Sequence, residues 1–283
     1  MSSPRRTFCL SQSYAKEHCF TPSIMKVPRR PTAGFSLIEL LTVIAILGIL
    51  AAIIIPTVGK ARETAQRAVD ANNLRELGKA ALIYAADNRD ALPNPQQTSR
   101  QVSGSNERYW QWFGQLARYG GINDPTLLVS KLDTAVDQTA LPLLVLDPAV
   151  STPPTLETEF TSLGTTSFNV VAGLRLSDKA TTPLAFTRGL STDGTWSEAG
   201  ASEDDPNRGV YGETGGHIVF LGGNVEFYSS IENSLISNTG RPTSNLRQAV
   251  PNRTNGTGAV QILGQDSSNG VASSNGTNAL AGP

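Results

Sequence analysis

Between Phe35 and Ile55 the chain reads FSLIELLTVIAILGILAAIII, an unbroken apolar run interrupted only by Ser36, Glu39 and Thr42. As a helix this run is ~31 Å long, enough to cross the hydrocarbon layer of a bilayer. A signal-peptide core is shorter and ends in a small-residue cleavage site on its far side. Here Pro56 and a charged segment follow instead, so a membrane-spanning helix is predicted over residues 35–58. Beyond it the period of apolar positions persists but thins: Leu74, Leu77, Ala81 and Tyr84 recur at steps of three, four and three, the face of one helix. An amphipathic half is therefore expected over 59–92, its apolar face packed on a globular domain. Lys60, Arg62, Glu63, Arg67, Asp70, Arg75, Glu76 and Lys79 are expected to lie mainly toward solvent or neighbouring copies. Pro56 removes one helical hydrogen bond and is expected to kink or loosen the rod at that point.

From residue 93 the pattern changes to that of a small domain running to 237. Pro93 and Pro95 end the helix. Tyr109, Trp110, Trp112, Phe113, Leu116 and Tyr119 then form an aromatic cluster suited to a short helix, read as core rather than as a sugar-stacking site because aromatics are scarce elsewhere. LPLLVLDP from Leu141 is a short apolar run, and SFNVVAGLRL from Ser167 and PLAFTRGL from Pro183 read as strands between polar turns. A hairpin is predicted from His217–Leu221 and Val225–Ser229 around Gly222, Gly223 and Asn224, residues suited to positive backbone dihedrals. From Asn238 to Pro283 the chain is dominated by Asn, Ser, Thr and Gly, with Val260, Ile262 and Leu263 its only local apolar patch, so a flexible tail is expected over 238–283.

Charge sharpens the boundary before the apolar run. The 283-residue chain is nearly neutral at −1, but Arg5, Arg6, Lys16, Lys26, Arg29 and Arg30 all precede residue 35, against Glu17 alone. Removing residues 1–34 leaves 17 basic and 23 acidic residues, a net −6. An acidic remainder argues against nucleic-acid binding. Cys9, Cys19 and His18 lie in the same segment, so the remainder holds no cysteine and one histidine, His217. Disulfides, thiolate metal sites and cysteine nucleophiles are thereby excluded from it.

Glu39 is a costly residue inside a membrane helix and calls for a partner. Gly34 immediately precedes the apolar run, and cleavage there would free a positive amine on Phe35. That amine on one copy would neutralise Glu39 on another, turning the carboxylate into a device that sets subunit register. GFSLIELLTVIAILGILAAIIIP resembles the cleavage and methylation motif of type IV prepilins and type II secretion pseudopilins. The resemblance implies cleavage after Gly34 by a polytopic aspartic peptidase, methylation of Phe35, and an assembly role for Glu39. AVDANNLRELGKAALIYAADNRDALP is similar to the continuation in pseudopilins of the secretion protein G type, without the cysteine that some relatives carry near Ala71. MKVPRRPTAG from Met25 has the length of a prepilin leader, so translation is expected to start there, with Lys26, Arg29 and Arg30 favouring a cytoplasmic N-terminus. The implied fold is α+β and type IV pilin-like, a long N-terminal helix on a small antiparallel sheet. The implied life history is a single pass of the bacterial inner membrane with the C-terminal domain outside, then a filament built with an inner-membrane platform and its ATPase.

Catalytic chemistry is not predicted. His217 stands at a strand start without a nucleophile and is read as structural. Glu203, Asp204 and Asp205 in ASEDDPNRG are a candidate calcium site, as hard cations prefer clustered carboxylates, although the alternating carboxylates of a calcium loop are missing. No other cofactor is expected. Two rival readings remain, a membrane-tethered module binding glycan or a surface ligand, and a secreted hydrolase that the missing nucleophile, base and metal ligands disfavour.

Overall fold

The computed structural model describes residues 36–105, 107–149, 153–196, 208–253 and 259–264. The chain divides into two compact units, residues 1–53 and 54–283. The described part of the first is the start of helix α1 (Leu37–Ala86), on which every large apolar side chain is exposed, from Leu37 at 80 % to Ile53 at 62 %. The helix continues through Pro56 without ending there. The Thr57 hydroxyl, one residue on, donates to the Ile54 carbonyl at 2.8 Å.

In the second unit, α1 turns amphipathic as its spacing predicts. Leu74, Leu77, Ala81 and Tyr84 are buried, and so are Gly78 between them and Ala85 just after them. Gly78 packs tightly against the sheet, since a Cβ there would lie 3.0 Å from the Val219 side chain. The sheet has five antiparallel strands in the order β6, β5, β4, β3, β9, where β3 is Phe168–Ala172, β4 Pro183–Thr187, β5 Gly216–Phe220, β6 Val225–Tyr228 and β9 Gln261–Leu263. Every residue of β3, β4 and β5 is buried, which is why these segments read as continuous apolar runs instead of alternating ones. Short paired strands flank them: β1 (Leu146–Asp147) with β2 (Thr155–Leu156), and β7 (Leu235–Ile236) with β8 (Pro242–Thr243). The expected hairpin is β5–β6, in register Val219↔Val225, with Gly223 at φ +85° in its turn.

The aromatic cluster forms helix α2 (Arg108–Tyr119). Tyr109, Trp110, Trp112, Phe113 and Leu116 are all buried, with Trp110 edge-on to Phe160 at 5.1 Å, so the aromatics are core. The Tyr109 hydroxyl donates to the Phe168 carbonyl at 2.9 Å, tying α2 to β3.

The composition of residues 238–283 misleads for its described parts. Helix α3 (Leu246–Ala249) is capped by Asn245, whose side chain accepts from the Arg247 N–H at 2.8 Å. Strand β9 completes the sheet beside β3, pairing Val170 with Leu263, Val171 with Ile262 and Ala172 with Gln261. Arg253 holds the approach to that strand through a two-pronged ion pair with Asp178. Three apolar residues suffice for order here because β3 supplies the ladder and the domain supplies the cover.

Candidate assembly site

Gly34 and Phe35 lie outside the described residues, as do Glu203, Asp204 and Asp205. The site therefore begins at Ser36, the residue before the first helical one. Its backbone N–H donates to Glu39 Oε2 at 2.9 Å. Serine at the N-cap with glutamate three residues on is the capping-box spacing, and this bond is its reciprocal half. Glu39 thus satisfies a backbone donor at the start of the helix. The signal lies in the sequence as S-L-I-E, a serine and a glutamate three apart at the start of the apolar run. No residue of the apolar stretch of α1 is buried within the chain, and the helix is long and apolar enough to cross a membrane.

Farther along, a buried polar network fastens α1 to the domain. Asp70 was expected among the solvent-facing charges, yet it is fully buried. It stands four residues before Leu74 and seven before Leu77, the spacing that places it on the same face, so its position was legible although its charge argued otherwise. One carboxylate oxygen accepts from the Ser130 hydroxyl at 2.5 Å and the Tyr211 hydroxyl at 2.6 Å; the other accepts from the Gln66 amide at 3.1 Å. Three donors satisfy a charge that burial would otherwise penalise heavily. The chain of bonds continues: the Ser130 N–H donates to Ser167 Oγ, the Ser167 hydroxyl donates to Asp133, and Asp133 pairs with the buried Arg188 at 2.5 Å. Arg67, one turn before Asp70, pairs with Glu63 at 2.6 Å and lies 5.1 Å from the rings of both Tyr211 and Phe227.

His217 sits at the edge of this network, with Nδ1 3.4 Å from the Tyr211 hydroxyl and its ring 5.0 Å from Phe227. Burial pushes its pKa down to about 4, against the pull of Asp70, and Arg67 lowers it further. Burial, followed by Asp70, pushes the Tyr211 hydroxyl well above its ordinary value. A neutral imidazole enclosed by aromatic rings and a committed tyrosine is a packing element. Among the described residues no group of three or more His, Cys, Asp or Glu is placed to hold a metal ion.

Residues 29–55 match the family described as the prokaryotic N-terminal methylation motif. Over 69 residues it is 39% identical to the type II secretion system core protein G of Pseudomonas aeruginosa, a match covering 24% of this chain and 48% of that protein. The chain thus spans about half the length of the curated relative it matches. No solved structure matches it.

Proposed function

We propose that this chain is a pseudopilin, a structural subunit without catalysis of its own, in a type II secretion-like or type IV pilus-like filament. Prepilin peptidase cuts after Gly34 and methylates Phe35. Residues 35–58 hold the subunit in the inner membrane with the domain outside, until an assembly platform and its ATPase draw it into the filament. The observation that carries this reading is the wholly exposed apolar stretch of α1, with one carboxylate at the fifth residue after Gly34. A simple tether gains nothing from that carboxylate, whereas a subunit that pairs it with its neighbour's terminal amine does. Similarity to core protein G favours the secretion branch over the surface pilus.

Intact-mass measurement and N-terminal sequencing of protein extracted from membranes test the proposal. A chain beginning at N-methylated Phe35 is the expected result. Recovery of a stable chain that keeps its leader, in cells with active prepilin peptidase, overturns it.

A further inference from the structure

A polar cleft of about 580 Å³ opens between residues 99–105 and α2, in the size range of small-ligand sites. Its wall is rigid by construction. The Gln111 side chain accepts from the Val102 N–H at 3.0 Å and donates to the Val102 and Ser105 carbonyls at 2.6 Å each, fixing residues 102–105 against the helix. Gly104, at φ +96°, brings this segment so close to β2 that a Cβ would lie 2.9 Å from the Leu156 carbonyl oxygen. With Gln111 occupied, Ser99, Ser103 and Arg118 supply polar groups to the opening.

Arg118 is the charged group in that lining, and its setting is unusual. Its guanidinium carbon lies 4.7 Å from the centroid of the Tyr119 ring, and that of Arg100 lies 5.2 Å from the same centroid. Two like charges thus share one aromatic ring, and neither joins an ion pair among the described residues. Carboxylates outnumber basic residues 23 to 17 beyond residue 34, so counter-ions are plentiful in this chain, yet among the described residues none pairs with Arg100 or Arg118. A ring quadrupole holds a cation only modestly at an exposed site, which leaves the Arg118 guanidinium able to bind an external anion in the cleft.

We propose that this cleft binds an acidic saccharide, with Arg118 gripping a carboxylate, Arg100 reinforcing the field, and Ser99 and Ser103 meeting sugar hydroxyls. The scarcity of apolar lining suits a hydroxyl-rich ligand and disfavours an apolar one. The site lies on the domain surface and does not depend on the filament reading.

The test is calorimetric titration of the full chain in mild detergent with trigalacturonate, a neutral trisaccharide, inorganic phosphate and a short polyglutamate peptide. Trigalacturonate is expected to bind at least about tenfold more tightly than each of the other three. Arg118→Ala is expected to weaken it by about tenfold or more, Ser103→Ala by less, and Arg75→Ala, on the exposed face of α1, to leave it unchanged. Circular dichroism checks that each variant is folded. No binding of trigalacturonate, equal binding in Arg118→Ala, or equal binding of polyglutamate or phosphate overturns the assignment.

Discussion

Replacing Ile262 by alanine tests whether the C-terminal segment is part of the domain. Ile262 is 1 % exposed and pairs with Val171 in the ladder between β9 and β3. Cutting a buried isoleucine to alanine removes transfer free energy and leaves a cavity, together about 2–5 kcal/mol. The site is at a sheet edge, where neighbours can partly collapse, so a value near about 3 kcal/mol is expected. With a urea slope of about 2 kcal/mol/M, the unfolding midpoint should fall by about 1.5 M. Leu263→Ala, at a position with no exposed surface, should show a similar fall. Leu143→Ala is the control, since Leu143 is 92 % exposed and its loss should stay within about 0.5 kcal/mol. The assay is urea unfolding of the full chain in mild detergent, followed by tryptophan fluorescence, because Trp110 and Trp112 are buried in the same core. Midpoints for Ile262→Ala and Leu143→Ala that agree within about 0.2 M would refute the assignment of β9 to the folded domain.

Tyr211→Phe removes a donor at 2.6 Å from the buried Asp70 carboxylate and should cost about 1.5–3 kcal/mol in the same assay. Ser130→Ala should cost a similar amount, and the double variant should depart from the sum because both hydroxyls serve one oxygen. His217, held down to about 4 in the fold, takes up a proton in the unfolded chain near its ordinary value. The unfolded state therefore binds more protons between these two values, and stability should fall as pH drops from about 6.5 toward 4, by about 1–2 kcal/mol after allowance for solvent screening. Comparing unfolding midpoints at pH 7 and pH 5 for wild type and His217→Phe checks this, the variant being expected to lose that part of the slope.

The long apolar helix, the buried face of α1, the aromatic helix and the β5–β6 hairpin were legible because each rests on local periodicity or turn chemistry. The edge strand β9 was not, since its apolar content is too small to order itself and its partner β3 lies about ninety residues earlier in the chain. Asp70 shows a different failure: the period put it on the buried face and the charge put it outside. The period won because Ser130 and Tyr211, 60 and 141 residues away, supply hydroxyls that no local pattern announces. The polar cleft was equally hidden, because tertiary packing sets residues 99–105 against α2 and brings Arg100 to the Tyr119 ring beside Arg118.

Glu39 now carries two separable roles, and one substitution divides them. Its side chain caps α1 through the Ser36 N–H, and its charge is proposed to meet the terminal amine of a neighbouring copy. Glu39→Gln keeps an acceptor at the third helical position, so the cap survives, while the charge is lost. Glu39→Ala removes both. Removing a charge from the span eases membrane residence by about 2–3 kcal/mol, so both variants should insert and be processed. Leaving a neighbour's amine uncompensated costs about 3–5 kcal/mol, enough to lower incorporation more than a hundredfold at equilibrium. If pairing drives assembly, Glu39→Gln should accumulate as processed monomer just as Glu39→Ala does, with cross-linked ladders lost from both at matched membrane abundance. If capping alone matters, Glu39→Gln assembles like wild type and only Glu39→Ala fails. That second pattern would remove the electrostatic step from the proposed assembly and leave helix-end order as the reason for the carboxylate.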